Sequence, residues 1–181
     1  MEYRLRDATL SDVPALADLH VRTFQETHGG GPNAGVRAAQ WSKILANPEP
    51  QSFCLVLQTD TSELIGFVRG IRHTESAFSE FDAELNKIYL LRAYHRRGLG
   101  KRLLCAAATR FVDYGLSSML LFGEAANPSN AFYEAMGAER LYSESGEFHG
   151  GYGWRDLRAL IAAACSPSSS GDAPARANTP V

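Results

Sequence analysis

A glycine-containing turn in the middle of the chain has the residue types needed to bind an anionic group. Residues 94–104 read YHRRGLGKRLL, and Gly98 and Gly100 lie among five polar or cationic side chains: His95, Arg96, Arg97, Lys101 and Arg102. An apolar helical pattern begins here, and the first N–H groups of a helix have no intrahelical partners and attract negative charge. Glycine also lets a ligand approach the backbone closely. The turn therefore predicts a diphosphate-binding site.

Two common phosphate-binding motifs do not explain this turn. The P-loop pattern G-x-x-x-x-G-K-[ST] fails because His95 and Arg102 occupy two of its defining positions. The dinucleotide-binding fingerprint requires a third glycine where the chain has Leu103, and it belongs near the start of a βαβ unit. From these residues alone, the alternative is a tight turn followed by a solvated, cationic helix face.

The surrounding sequence predicts a mixed α/β domain in which a strand precedes this turn and a helix follows it. Apolar periodicity indicates helices at about 11–27, 36–46, 98–114 and 127–137. Runs typical of strands occupy residues 2–8, 52–59, 63–72, 84–91, 117–124, 138–145 and 151–160, with a short helical end as the alternative for the last run. The predicted element order is β-α-α-β-β-β-α-β-α-β-β.

Three local details accompany this prediction. Asn127 is expected to cap the fourth helix, with Pro128 at its first position. Strict alternation along strand 84–91 would place Glu84 on the same face as Ile88 and Leu90. Leu157 is expected to end the last strand.

Composition limits the partners and the compartment. The 181 residues carry a net charge of −2, which gives no general affinity for nucleic acid or anionic membranes. No apolar run reaches the about 18 residues that span a bilayer, and the N-terminus lacks the apolar run of a signal peptide. The three cysteines fit no metal or redox spacing, so we expect reduced thiols, no metal site and a cytoplasmic location.

The chain divides into one domain and a tail. Residues 1–165 carry the predicted elements and are long enough for a sizeable core. Residues 166–181 are rich in Ser, Pro and Ala and have almost no large apolar side chain, so a disordered tail is expected.

The turn resembles the acyl-CoA signature of the GNAT superfamily of N-acetyltransferases, usually written Q/R-x-x-G-x-G/A. Gly98 and Gly100 match its glycines, whereas His95 replaces the usual Gln or Arg. In the family, backbone amides of this turn hold the pyrophosphate of coenzyme A. The resemblance therefore implies a set of coenzyme-binding residues: Leu90, Leu91, His95, Arg96, Arg97, Gly98, Leu99, Gly100, Lys101 and Asn127.

A second segment, ANPSNAFYEAMGAE, is similar to the later motif of the same superfamily, N-x-x-A/S-x-x-F/L-Y-x-x-x-G-F/A. Asn127, the pair Phe132–Tyr133 and Gly137 occupy matching places, although the spacing from Asn127 to Tyr133 is one residue shorter than in many members. The resemblance implies that Tyr133 protonates the departing thiolate of coenzyme A. The alternative is a half-buried aromatic side chain without a chemical role.

The strand before the turn carries the remaining implied chemistry. In the family this strand pairs with the pantetheine arm, and a backbone N–H polarises the thioester carbonyl; Leu90 and Leu91 stand at that place. Glu84 matches a glutamate that removes a proton from the incoming ammonium in many members, and an exposed strand-end carboxylate is the alternative. The implied acceptor site draws on a group of side chains from the first helices and the later hairpin: Phe24, Glu26, His28, Trp41, Phe78 and Phe81.

The resemblance implies a GNAT fold, with a central, mostly antiparallel mixed sheet flanked by helices. It also implies an acetyl-CoA-dependent N-acetyltransferase that works by direct transfer in a ternary complex. Acetyl-CoA would be the co-substrate, without a metal, and the acceptor would be an amine on a small molecule or a protein. A homodimer is left open. Two alternatives are a non-catalytic acyl-CoA-binding sensor on the same fold and an unrelated nucleotide-phosphate-binding module.

Overall fold

The computed structural model of the protein describes residues 2–165, so the tail expected at 166–181 lies outside the described residues. Seven strands and five α-helices occur in this part of the chain. They are β1 (Tyr3–Asp7), α1 (Val13–His28), α2 (Ala34–Ala46), β2 (Phe53–Thr59), β3 (Leu64–Arg72), β4 (Ala83–Leu90), α3 (Leu99–Asp113), β5 (Met119–Leu121), α4 (Asn130–Ala135), β6 (Glu139–Tyr142), β7 (Phe148–Trp154) and α5 (Leu157–Leu160). The predicted order is confirmed, with α5 as the short helical end.

The strands form one sheet in the order β1-β2-β3-β4-β5-β7-β6. Every neighbouring pair is antiparallel except β4 and β5, which run parallel and are joined through α3. These two strands pair only at Ala83 with Met119 and at Glu84 with Leu120. The rest of β4 therefore has an unpaired edge at the centre of the sheet.

Helices cover both faces of the sheet. On one face, Trp41 of α2 and His20 of α1 pack against Phe67 of β3, with ring centres 5.3 and 5.2 Å apart. On the other face α3 packs so closely that a Cβ at Gly70 would lie 2.3 Å from Phe53 and 2.5 Å from Phe111. We call the first face, covered by α1 and α2, the α1–α2 face.

A β-bulge changes which residues of β4 share a face. Arg69 of β3 pairs with Lys87, but the next residue, Gly70, pairs with Leu85, so Asn86 is an extra residue in β4. Glu84 consequently lies on the same face as Lys87 and Tyr89. The alternation predicted from the sequence was wrong here because an inserted residue shifts the period, and residue types alone do not reveal the insertion.

Two predicted element boundaries are also corrected. Helix α4 begins at Asn130 with Ser129 before it, and the Asn127 side chain instead accepts a hydrogen bond from the Ser129 N–H at 2.8 Å. The last strand ends at Trp154, and the Asp156 carboxylate accepts from the Ala159 N–H at 3.0 Å. That cap starts α5 at Leu157, where the sequence pattern predicted the end of a strand.

The cysteines divide into a buried thiol and a disulfide. Cys54 lies in the core of β2, as expected. Cys105 of α3 and Cys165 are joined by a disulfide, with Cα atoms 5.5 Å apart. The prediction that all three thiols are reduced is therefore corrected. The pairing follows from α5 and the turn Ile161–Cys165 packing against α3, a long-range contact that the spacing of the cysteines does not show.

Candidate active site

The chain leaves β4 and enters α3 through a turn with unusual backbone angles. Gly98, at the start of the helix, has a φ of +75°, and Arg96 has a φ of +61°. The first helical hydrogen bond joins the Arg102 N–H to the Gly98 carbonyl at 3.0 Å. Within residues 2–165, the preceding N–H groups of Leu99, Gly100 and Lys101 donate to no other group. Three unpartnered donors thus mark the positive end of α3.

The cations around this turn differ in their freedom. Arg97 donates to the Tyr3 hydroxyl at 3.2 Å and lies over the Tyr94 ring, with 5.3 Å from the guanidinium carbon to the ring centre. Arg102 donates to the Tyr3 carbonyl at 2.7 Å. Arg96 and Lys101 are exposed and form no ion pair with any described residue. Arg97 and Arg102 likewise have only neutral partners, so none of the four positive charges is neutralised by a described carboxylate.

His95 has a local hydrogen bond. Its Nε2 lies 2.9 Å from the carbonyl oxygen of Leu90 and donates to it in the matching tautomer. The ring therefore ties the turn back to the end of β4. A second tie comes from α1, where the Glu26 carboxylate accepts from the Arg92 N–H at 2.8 Å and the Glu26 carbonyl accepts from the Arg92 guanidinium. Glu26, expected near the acceptor, instead holds α1 against the turn.

The end of β4 offers backbone donors on its free edge. The Leu91 N–H donates to the Ile65 carbonyl at 2.9 Å, so it faces β3 and cannot point at a ligand. In an antiparallel ladder the N–H groups alternate in direction, and those of Leu90 and Ile88 therefore point towards the edge where β5 has diverged. The expected role of Leu91 as an N–H donor is corrected on this point, while Leu90 keeps the required direction.

Tyr133 is the only residue of α4 that is buried, with 8% of its surface exposed. It packs against the rings of Phe132, Tyr152 and Trp154. In the described part of the chain its hydroxyl makes no hydrogen bond. Burial raises the pKa of Tyr133 well above its usual value, and the nearby Tyr89 and Tyr152 add to the rise. The phenol therefore keeps its proton at neutral pH.

Helix α4 lies over the start of α3. A Cβ at Gly100 would be 3.7 Å from the Phe132 ring, which is an ordinary van der Waals contact. The neighbouring Tyr133 is thereby held on the same side of the sheet as the unpartnered donors of the turn. Asn127 precedes α4, and its Oδ1 is committed to the Ser129 N–H.

Glu84 is a half-buried carboxylate on the α1–α2 face, with 16% of its side chain exposed. It accepts a hydrogen bond from the Asn86 amide at 2.7 Å, and its other oxygen lies 3.9 Å from Nδ1 of His73. The His73 ring is almost fully buried, and its Nε2 lies 2.8 Å from the Ala77 carbonyl. Its Nδ1 has no hydrogen-bond partner in the described residues. The carboxylate is therefore fixed but still accessible.

The group of side chains expected to form the acceptor site separates into two parts. Trp41 and Phe81 are core residues, at 1% and 2% exposure. Phe24 and His28 stack at the end of α1, with ring centres 4.3 Å apart, and Phe24 also lies near Tyr89. Nδ1 of His28 lies 3.5 Å from a carboxylate oxygen of Glu124 in the loop after β5. Phe24 and His28 thus line the α1–α2 face next to β4.

Several polar residues on the α1–α2 face were missed by the sequence reasoning: Arg37, His73, Lys87 and Glu124. Arg37 occurs in an ordinary amphipathic helix, so the sequence does not mark it as unusual. Lys87 shares a face with Glu84 only because of the bulge at Asn86. Burial lowers the pKa of Lys87, with further lowering from Arg69 and Arg37. Burial also lowers the pKa of His20 to about 3, so this ring stays neutral and accepts from the Trp41 indole at 3.3 Å.

Two kinds of feature are absent from residues 2–165. No three His, Cys, Asp or Glu side chains in this range lie close enough together to hold a metal ion. None of the helices in the same range has the length and apolar character needed to span a membrane.

Comparison with known proteins agrees with this geometry. The PaiA N-acetyltransferase from Thermoplasma acidophilum, solved in complex with coenzyme A, has a TM-score of 0.68 and 19% identity, covering 84% of this chain and 98% of that one. The acetyltransferase YncA from Salmonella typhimurium, solved with acetyl-CoA, has a TM-score of 0.64 and 14% identity, covering 87% and 95%. At these identities the likeness establishes the fold.

Sequence comparison establishes the family. YuaI of Bacillus subtilis (strain 168), described as an uncharacterized N-acetyltransferase, is 30% identical over 165 residues, which is 86% of this chain and 95% of the relative. The family model described as "Acetyltransferase (GNAT) family" matches residues 13–138. The matched range begins with the first residue of α1 and ends just after Gly137, which follows α4. The chain that places three free amides at a glycine turn and a buried tyrosine beside them therefore belongs to the GNAT family of acetyltransferases.

Proposed function

We propose that the protein transfers the acetyl group of acetyl-CoA to a primary amine by direct attack in a ternary complex. The observation that supports this most is the presence of two sets of free backbone donors on one strand–turn–helix unit. One set lies on the unpaired edge of β4, and the other consists of the unpartnered N–H groups of Leu99, Gly100 and Lys101. A pantetheine arm with a diphosphate at its end has the matching sequence of acceptors.

Each part of acetyl-CoA has a proposed partner. The diphosphate would accept hydrogen bonds from the start of α3, with Arg96 and Lys101 adding charge. The pantetheine amides would pair with the free edge of β4, as an added strand does. The thioester carbonyl would then lie near the N–H of Leu90 or Ile88, which would stabilise the oxyanion that forms on attack.

Two side chains would move the protons. Glu84 would take a proton from the ammonium form of the acceptor, directly or through water, so that a neutral amine attacks the carbonyl carbon. The carbon–sulfur bond then breaks, the Tyr133 hydroxyl would donate its proton to the leaving thiolate, and the second proton lost by the acetylated nitrogen would restore the Tyr133 hydroxyl. A raised pKa weakens Tyr133 as an acid, but a thiolate formed in the same dry site also binds protons more strongly.

Binding and turnover separate this proposal from its alternatives. Calorimetric titration with acetyl-CoA, free coenzyme A and ADP is followed by assays of thiol release with a panel of amines. We expect tight binding of acetyl-CoA and turnover with at least one class of amine. Binding without turnover would favour an acyl-CoA sensor, and ADP binding as tight as acetyl-CoA would favour a nucleotide-binding module.

A further inference from the structure

Arg37 is a buried cation without a buried anion. It lies in α2 with 9% of its surface exposed, and its Nη1 donates to the Gln40 side chain at 3.0 Å. Its Nε is fully buried and has no hydrogen-bond partner in residues 2–165, where no carboxylate lies within 4 Å of the guanidinium either. Burying an unpaired charge is costly, so a fold retains one where a ligand completes the pairing.

The surroundings of Arg37 connect it with the proposed reaction site. Its guanidinium carbon lies 5.3 Å from the centre of the Phe24 ring, and Phe24 in turn lies 6.5 Å from the Tyr89 ring on β4. The positive charge of Arg37 acts to lower the pKa values of His20, Lys87 and Tyr89. All three side chains therefore interact with Arg37 electrostatically. Lys87 and Tyr89 share the α1–α2 face with Glu84, the proposed base.

The two deeper cations of this face have no carboxylate partner. Arg37 forms no ion pair with a described residue, and the Lys87 ammonium donates to the Asn86 amide oxygen at 2.7 Å rather than to a carboxylate. The third cation, Arg69, has an exposed partner in Glu49 at 3.5 Å. Of the carboxylates on this face, Glu84 is bound to Asn86, and Glu124 lies 3.5 Å from His28. The positive charge of Arg37 is therefore not met by a carboxylate of the described chain.

We infer that the acceptor amine carries a carboxylate, which Arg37 binds with Lys87 beside it. The acceptor class is thus a small amino carboxylate rather than an uncharged or polycationic amine. The carboxylate would accept a hydrogen bond from Nη2–H of Arg37, which no described residue uses, because a guanidinium binds a carboxylate strongly. This inference rests on the proposed function and specifies the substrate of the same site.

The test compares matched acceptors on the full chain. Thiol release from acetyl-CoA is measured with a series of amino acids, each next to its carboxamide and its decarboxylated amine. We expect kcat/KM for the best amino acid to exceed that of its counterparts without a carboxylate by at least about tenfold, the range for losing one charged hydrogen bond. In Arg37→Met this preference should disappear, with the rate for the acceptors that lack a carboxylate unchanged, and Arg37→Lys should restore part of it.

Stability measurement separates binding from a structural role. Because Arg37→Met replaces an unpaired buried charge by an apolar side chain, we expect its melting temperature to stay equal or rise. The control is Arg22→Met, which removes an exposed arginine of α1 and should leave the preference intact. A large fall in melting temperature would overturn the inference. An equal loss of rate for acceptors with and without a carboxylate would overturn it as well.

The remaining outcomes are distinguishable. If the wild type acetylates the carboxamides and decarboxylated amines as fast as the amino acids, the inference is wrong and the proposed function stands. If acetyl-CoA binds but no amine of either kind is acetylated, the proposed function is wrong and the inference is wrong with it.

Discussion

Two buried tyrosines of the same cluster differ in a way that bears on catalysis. The Tyr152 hydroxyl donates to the Glu134 carboxylate at 2.8 Å, whereas the Tyr133 hydroxyl has no partner among the described residues. The Tyr133 ring is buried but its hydroxyl keeps some exposure, so the hydroxyl is free to donate to a bound ligand. We therefore expect the hydroxyl oxygen to matter for the reaction rate at position 133 and for stability at position 152.

For Tyr133→Phe we expect kcat to fall about 100-fold, the range for removing a general acid. The affinity for acetyl-CoA and the melting temperature should be nearly unchanged, since no hydrogen bond of the free protein is lost. Steady-state kinetics and calorimetric binding measure both. Tyr152→Phe is the control, expected to retain kcat and lose some stability. An unchanged rate in Tyr133→Phe would remove this residue from the mechanism.

Glu84 is the second residue with a separable role. If it removes the proton of the acceptor ammonium, Glu84→Gln should lower kcat/KM at neutral pH by about 100-fold. Above the pKa of a lysine-like amine, about 10.4, the acceptor is already neutral, so the defect should shrink as the pH rises towards that value. The measurement is a pH–rate profile, with exposed Glu144→Gln as the control. A defect that is constant with pH would assign Glu84 a positioning role.

At the scale of elements, the strand–turn–helix unit of β4 and α3 forms the proposed coenzyme site. Gly98 needs its left-handed φ to start the helix, whereas Gly100 is helical and has room for a Cβ. Gly100→Val should therefore fold, while its side chain blocks the approach to the free N–H groups. We expect acetyl-CoA affinity to fall at least about tenfold with most of the stability retained.

Calorimetric titration and a thermal melt check this expectation. Gly35→Val, in the first turn of α2, is the matched control because it introduces the same side chain away from the turn. If Gly100→Val binds acetyl-CoA as tightly as the wild type, the diphosphate lies elsewhere.

The sequence predicted the elements well but not how they adjust to one another. The glycines of the turn and the period of α3 are local signals, so the strand–turn–helix unit on which the diphosphate site is proposed could be predicted from the sequence. The bulge at Asn86, which moves Glu84 to the face of Lys87, depends on the register between two strands. The use of the Leu91 N–H by Ile65 depends on the same register. The lack of a carboxylate partner for Arg37 could not be predicted from the sequence, because it depends on the positions of all neighbouring carboxylates.

At the scale of the whole molecule, the disulfide joins the end of the described chain to the helix that follows the turn. Cys105 and Cys165 are 60 residues apart in sequence, so the bond closes a long loop around β5, α4 and the last hairpin. A cross-link of this span restricts the unfolded chain and is expected to contribute about 2–4 kcal/mol. It also contrasts with the reducing compartment expected from composition, which stays a prediction.

Reduction and substitution test the contribution of the disulfide. Urea unfolding of the oxidised protein, with and without reductant, should show a loss of about 2–4 kcal/mol in the free energy of unfolding, and Cys165→Ser should reproduce it without reductant. Cys54→Ser alters only a buried thiol and keeps the disulfide, so reductant should lower its free energy of unfolding by the same amount as in the wild type. Three titratable thiols in the unfolded, unreduced protein would show that the bond does not form.

The account depends most on the free amides at the start of α3, and a crystal structure with bound acetyl-CoA tests them most directly. We predict diphosphate oxygens within hydrogen-bonding distance of the N–H groups of Leu99, Gly100 and Lys101, and the thioester carbonyl at the free edge of β4. A complex in which those amides have no ligand and the diphosphate binds another surface would contradict it.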